Sequence, residues 1–535
     1  MTTVESTTDP TCKISVPNFK RNVELVLLVS GVALTRIAFR SRVLYDLDSV
    51  NFALAMRHFD PTIHQPHPPG YFLYICLARI TNLIFRNDNN ALVAISVAAS
   101  CGAAAMIYVL ARRWFGSRAA VFAGLIFLFS PLAWFHGTVA LTYIVEAFLS
   151  ALLGFFCWRA YCGERRFVLA AALVAGIGAG IRPSSLLFLS PLFLFSLSTL
   201  SWKRRLKAVC AFAAAVLCWF VPMIYASGGL SAYVSSLSAL WWRVAARETV
   251  VNSPLTTSMV RLCGIVAIYV FCFGSITLIM PRAFHVKAHA PERAKLFTYV
   301  WIAPALLFFT FVFLKLINSG YLLVIFPPAC IWLGYWASDW YTEGRWPKPV
   351  KMGVAVILCV LNVVMFLEAP EYWSYRSVRR FETELAAVRS ATRQLASPET
   401  TLLVGFDSHF FGYRHAGYYL PEYTIVQFPA LSFREGKRVF AMHDRDTRLL
   451  ARLNVNQYKN FMLFPLPSDE QQYDYLQKQV QLHSPSARLT ISHLRHHTFI
   501  SGPIEDLRFL FPDEVPPVAP VYTTHHSLTA PVNIR

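Results

Sequence analysis

Charge is scarce in this sequence. Only 15% of its residues are Asp, Glu, Lys or Arg, where a soluble globular chain carries about a quarter; 55% are hydrophobic, and the mean hydropathy is +0.44. The apolar excess is gathered into long runs, which excludes an ordinary soluble enzyme and indicates a polytopic membrane protein. Acidic residues are the rarer sign, 30 against 49 basic, for a formal charge of +19. The basic surplus lies in short clusters between apolar runs and forms no continuous stripe, so no nucleic-acid partner is expected. None of the eleven cysteines lies beyond Cys359 and no CxxC pair occurs, so their spacing offers neither a disulfide framework nor a thiolate metal site. No fixed-period repeat and no pair of matching halves is present. Met1 to Asn18 has no apolar core, so the first span is expected to act as its own uncleaved signal.

A bilayer core takes about 20 apolar residues of helix. Candidate spans fall at 22–40, 91–111, 119–136, 139–158, 167–181, 184–200, 207–226, 257–281, 296–314, 320–338 and 351–368. A further run, 69–85, is short and contains Arg79. Positive charge decides its status. If 69–85 does not cross, Lys20 and Arg21, Arg112 and Arg113, Arg165 and Arg166, Lys203 to Lys207, Arg293 and Lys295, and Lys348 and Lys351 all share one side. That side is cytoplasmic. If it crosses, every cluster after the first changes side. The run is therefore expected to lie in the outer interface, leaving about eleven spans, a cytoplasmic tail at 1–21 and a transmembrane domain at 22–368.

From 369 to 535 the composition becomes that of a soluble protein. Strand-like runs at 401–406, 423–428, 438–442 and 459–464, with helical patterns near 374–395 and 468–481, predict a small α/β domain on the outer face. It has no GxGxxG or GxxxxGK[ST] sequence and so no evident nucleotide site. The tail histidines His493, His496, His497, His525 and His526 show no ligand spacing.

The densest polar chemistry follows the first span, in YDLDSVNFALAMRHFDPTIHQPHPPGYFLY at 45–74. Asp48 stands where the N-cap of a helix over 49–59 is expected, and capping alone would explain it. A carboxylate held at a water–membrane boundary also accepts a proton from a hydroxyl. Asp46, two positions away, is expected to point elsewhere, as support or to solvent. His64 and His67 lie in a turn stiffened by proline, suited to hydrogen-bonding phosphate, to positioning the acidic loop, or to a purely structural role. No further ligands accompany them, so no metal is assigned; a divalent cation is possible but not favoured. Glu146, costly in hydrocarbon, is expected to face the bundle interior. Arg182 and Lys315 close spans on the same outer side, as snorkelling anchors or, together, as a cationic seat for phosphate.

These pieces resemble, in order, the GT-C glycosyltransferases that use polyprenyl- or dolichyl-phosphate sugars, in their protein O-mannosyltransferase and aminoarabinose-transferase branch. The likeness covers roughly 22–340. It runs through the acidic outer loop (Asp46, Asp48), HPPGY, ARRWFGSRAA, SPLAWF, GAGIRPSS and SGYLLVIFPP. It implies an outer-face transferase with an inverting mechanism. Asp48, or next Asp46, is the base; Arg182, Lys315 and Tyr321 handle the phosphate, with His64 and His67 near it, and Glu146 and Tyr45 line the pocket. Many family members carry Asp-Glu where this chain has Asp48-Ser49. The implied partners are a polyprenyl-phosphate sugar, a hydroxyl acceptor on protein, lipid or glycan, and membrane lipids. The implied location is a bacterial inner membrane with the C-terminal domain in the periplasm. The alternative is a multi-pass lipid or glycan transporter or flippase, against which stand the missing paired halves and the one-sided polar residues.

Overall fold

The computed structural model describes residues 19–243, 249, 254–278, 292–312, 319–343, 346–369 and 371–405. Beyond these it describes 408–427, 430–434, 437–441, 455–464, 481, 485–487, 489–494 and 497–510. The chain divides into two compact units, residues 1–386 and 387–535.

The first unit is helical. Its helices are α1 (Phe19–Ala38), α2 (Leu47–Arg57), α3 (Phe72–Phe85), α4 (Asp88–Phe115), α5 (Ser117–Phe129), α6 (Pro131–Thr138), α7 (Tyr143–Tyr161), α8 (Phe167–Ile181), α9 (Ser184–Ser196), α10 (Trp202–Ala226), α11 (Leu230–Arg243), α12 (Leu255–Phe273), α13 (Glu292–Leu307), α14 (Phe326–Glu343) and α15 (Lys348–Glu368). Helix α16 (Tyr375–Leu395) spans the boundary between the units. A helix, or a bent helix pair, occupies each of the eleven apolar stretches. Among the described residues six helices are long and apolar enough to cross a bilayer by themselves, and the pair α5–α6, bent by 59°, is a broken span that makes a seventh or a re-entrant loop. The protein is an integral-membrane, multi-pass chain.

Helix α3 is different. Fourteen residues span about 21 Å at 1.5 Å each, short of the roughly 30 Å hydrocarbon core. Its Tyr74, Ile75 and Ala78 are buried, while Ile80, Leu83 and Ile84 are exposed. Arg79 turns inward instead of facing lipid: Nε donates to the Met56 carbonyl (2.9 Å) and Nη2 to that of Ala55 (3.1 Å). These are last-turn carbonyls of α2, left without partners by the helix end and suited to a cation.

The break between α5 and α6 follows from Pro131, which cannot donate a backbone hydrogen bond, while Ser130 caps the new helix through the Ala133 N–H (3.2 Å). Arg36 of α1, fully buried, donates from Nη1 to the Leu128 carbonyl (2.9 Å) and from Nη2 to that of Phe127 (3.4 Å), with Trp134 against its guanidinium. It is thus a buried cation whose two terminal nitrogens meet the C-terminal carbonyls of α5.

At one end of the bundle, Arg113 and Arg159 share Glu164, and Arg112 lies 3.6 Å from Glu24. Basic clusters that are distant in sequence therefore meet. Nine of the described cysteines are free.

The second unit holds a five-stranded sheet in the order β2-β1-β5-β7-β6. Its strands are β1 (Thr401–Gly405), β2 (Ile425–Gln427), β5 (Asn460–Leu463), β6 (Thr490–Leu494) and β7 (His497–Pro503), with the separate hairpin β3 (Ala430–Arg434) and β4 (Lys437–Ala441). Strand β1 is buried along its length and pairs in parallel with β2 and β5, as a central α/β strand does. Helix α17 (Tyr413–Tyr419) follows β1. Strands β3, β6 and β7 have no counterpart among the expected runs, because His, Ser and Arg interrupt their apolar alternation. The helix expected at 468–481 lies, except for Gln481, outside the described residues.

Candidate active site

The acidic loop is built on α2. Asp46, in extended backbone, is its N-cap and accepts the Asp48 N–H at 2.8 Å. The cap is therefore Asp46 and not Asp48. The helix begins two residues earlier than its apolar pattern indicates, because Leu47 already takes helical geometry once Asp46 satisfies the first-turn donors. Freed from capping, Asp48 sits in the first turn, where the helix dipole favours a carboxylate.

Asp48 faces the proline turn. His67 Nδ1 lies 3.2 Å from Asp48 Oδ1, close enough for an ion pair but out of line for a hydrogen bond. The other ring nitrogen, Nε2, is 3.2 Å from the Tyr71 hydroxyl. Tyr71 has φ +47, left-handed backbone that is uncommon for a bulky residue. The turn carrying His67 is held from outside: Tyr233 donates to the Pro69 carbonyl (3.1 Å), and Met223 fills the space beside Gly70, whose φ is +111. Phe52 packs edge-on against both Tyr71 and Tyr74.

Tyr71 leads to the second cluster. The Arg182 guanidinium is 6.0 Å from the Tyr71 ring, 4.2 Å from that of Tyr143 and 5.6 Å from that of Tyr321. Its Nε is paired with Glu146 Oε2 at 2.5 Å, and Nη1 donates to Thr142 Oγ1. Glu146 Oε1 accepts from Ser184 (2.7 Å) and Ser185 (3.2 Å). With Arg182 at 3% and Glu146 at 1% exposure, this pair is inside the protein. Arg182 is therefore not a snorkelling anchor: its charge is met by a carboxylate and three aromatic faces. Asp48 is near enough to interact electrostatically with both Tyr71 and Tyr143, so the two clusters form one polar region. Tyr321 stacks on Phe309, and Gly320 packs against Tyr143 so closely that a Cβ there would meet its ring at 2.3 Å.

The other expected residues are placed as follows. His64 closes a short turn with φ +58, its N–H donating to the Pro61 carbonyl (3.2 Å). Tyr45 is buried between Phe135 and Phe381 and donates to the Tyr372 carbonyl (3.0 Å). Lys315 lies outside the described residues. No group of three or more His, Cys, Asp or Glu suited to a metal occurs among the described residues. Sequence reasoning missed Tyr71 and Tyr143, and also His136, which is buried with Nε2 3.5 Å from Ser319 Oγ and its ring against Tyr143. A histidine inside an apolar run was the available signal.

Residues 66–225 match the family model for dolichyl-phosphate-mannose-protein mannosyltransferases. No curated protein matches the chain by sequence. Among solved structures, ArnT from Cupriavidus metallidurans bound to undecaprenyl phosphate is similar over 91% of this chain and 98% of its own, at 14% identity and a TM-score of 0.57. The oligosaccharyltransferase of Archaeoglobus fulgidus tethered with an acceptor peptide is similar over 83% of this chain and 69% of its own, at 12% identity and a TM-score of 0.52. The fold is shared with both.

Proposed function

Taking the GT-C fold as premise, we propose that this protein is an integral-membrane glycosyltransferase that moves a sugar from a polyprenyl-phosphate donor to a hydroxyl acceptor. The observation that carries the proposal is the linkage of Asp48, through His67 and Tyr71, to the buried Arg182. A carboxylate and a cation lie in one polar region at the ends of apolar helices. The undecaprenyl phosphate bound by ArnT and the donor named in the matching family support a lipid monophosphate donor here.

In this mechanism Asp48 accepts the proton of the acceptor hydroxyl as its oxygen attacks the anomeric carbon. The bond from that carbon to the phosphate oxygen breaks on the opposite face, so the configuration inverts. The departing lipid phosphate gathers negative charge, which Arg182, Lys315 and the Tyr321 hydroxyl stabilise. Asp46 holds the helix that presents Asp48. The sugar is mannose or another hexose or pentose, and the acceptor is a protein, lipid or glycan. The reaction runs on the outer face, in a bacterial inner membrane with the N-terminus cytoplasmic and the 369–535 domain periplasmic.

The test uses proteoliposomes with labelled polyprenyl-phosphate sugars. Transfer of label to an acceptor is expected, and Asp48→Asn should bind donor yet transfer about 10² to 10⁴ times more slowly. Near-normal transfer by both Asp48→Asn and Asp46→Asn would remove the base. Lipid crossing the bilayer without sugar transfer would instead favour a flippase. Mass analysis of the lipid-linked sugars that accumulate without the protein identifies the donor.

A further inference from the structure

Asp48 can act as base only where α2 presents it, and α2 follows a stretch with no helical geometry. Residues 39–46 join α1 to α2, and their backbone groups need partners from outside the segment. On the bundle side Ser41 is held twice. Its N–H donates to the Thr138 carbonyl (2.8 Å), and its own carbonyl accepts from Asn89 Nδ2 (2.9 Å). On the other side stands the start of α16. The Arg42 N–H donates to Glu382 Oε1 at 2.6 Å, and Arg379 Nη2 donates to the Arg40 carbonyl at 2.6 Å. Arg379 Nη1 is paired with Glu382 Oε2, so the two side chains grip the residues flanking Ser41 as one unit.

We infer that Arg379 and Glu382 are positioning residues for the transfer reaction, fixing the backbone from which Asp48 is aimed. This inference rests on the proposed transferase activity. Glu382 lies 340 positions beyond Arg42, so the grip is a product of folding alone. A second contact from the same segment reaches nearer to the base. Tyr45, the residue before Asp46, sets its ring against Phe381 and donates its hydroxyl proton to the Tyr372 carbonyl at 3.0 Å. Tyr372 has φ +73, an outlier for a bulky residue of the kind kept where surrounding contacts dictate it. Its N–H is fixed in turn by Ser377 Oγ at 3.1 Å. At the other end of the loop, Phe39 meets Tyr375 edge-on at 5.0 Å.

The chemistry of the grip suits positioning better than bulk stability. An ion pair in open water does little, but Glu382 is only 11% exposed and Arg379 23%. Each member also directs a second polar atom at main chain, and such charge-assisted bonds are short and directional. Reaction geometry is sensitive at this scale: a displacement of about 1 Å costs on the order of 10²-fold in rate. Arg379 and Glu382 act through the 40–42 backbone, whereas Asp48 is the group that meets the acceptor. Loss of the grip should therefore lower kcat and leave donor affinity alone, because Arg182 is held by its own partners on α7.

The experiment compares full-length wild type, Glu382→Ala, Glu382→Gln and Arg379→Met in proteoliposomes, with the polyprenyl-phosphate sugar that supports wild-type turnover. It reads kcat, undecaprenyl phosphate affinity, and amide hydrogen–deuterium exchange over 40–48. Glu382→Ala should lose about 10- to 100-fold in kcat, with undecaprenyl phosphate affinity within about twofold of wild type and faster exchange over 40–48. Glu382→Gln keeps an oxygen for the Arg42 N–H and should stay within about threefold of wild-type kcat, a rescue that a general loss of packing would not show. Arg379→Met releases the Arg40 carbonyl and should fall between the two. Should Glu382→Ala not fold, Arg379→Met decides by its kcat and exchange. Unchanged exchange, a kcat for Glu382→Ala close to wild type, a loss confined to donor affinity, or a Glu382→Gln as slow as Glu382→Ala would overturn the positioning role and leave the transferase standing. A wild type that transfers no sugar from any polyprenyl phosphate overturns both.

Discussion

Asp46 and Asp48 are separated by one residue and by function. Asp46 spends its side chain on the Asp48 N–H, whereas Asp48 faces His67. Their substitutions should therefore fail differently. Asp46→Ala should lower stability by about 1 kcal/mol, the usual worth of an N-cap, and slow transfer only as α2 frays. Asp48→Asn should leave the thermal midpoint nearly unchanged while transfer collapses. Thermal unfolding in detergent, read beside turnover, separates the two; matching losses in both variants would mean that the roles are not divided. The pair Arg182–Glu146 gives a second residue-scale prediction. Glu146→Gln leaves a buried guanidinium without its counter-charge, a loss of about 3 to 5 kcal/mol. The double change Glu146→Gln, Arg182→Gln should recover part of it. A double variant less stable than Glu146→Gln would contradict this.

Helices α2 and α3 work as one element. Asp46 closes the start of α2 and Arg79, from the middle of α3, closes its end. Arg79→Met keeps the packed length of the side chain but removes two charge-assisted bonds to carbonyls, each worth about 1.5 to 3 kcal/mol. The expected outcome is faster amide exchange over 54–70 with the bundle intact, read by hydrogen–deuterium exchange, and slower transfer because Asp48 rides on α2. Unchanged exchange there would show that α2 is held by packing alone. Arg79 had counted only as a charge that weakens a span. Its destination was illegible because the carbonyls it caps lie more than twenty residues earlier.

At the scale of the molecule, sidedness decides everything else. Arg57 pairs with Asp88 at the start of α4, and Arg112 and Arg113 close the other end of that helix. Cysteines introduced for exposed Arg86 and Arg166 should therefore react with a membrane-impermeant maleimide from opposite faces, Arg86 from outside. Labelling of Arg86 from the cytoplasmic face and Arg166 from outside would reverse the reading of α3 as non-crossing.

Apolar length was enough, in one dimension, to mark the helices of the bundle, the short α3 and the polar loop after α1. It is measured against a bilayer whose thickness is fixed in advance. The likeness of ordered motifs pointed to the fold by the same linear route. Which aspartate caps and which faces His67, why Arg182 can be buried, and that His67 and Tyr71 stand between Asp48 and Arg182 were decided only by tertiary structure. Those relations are distances of a few ångströms between groups on α2, the proline turn, α7 and the α8–α9 turn, set by packing that no single segment encodes.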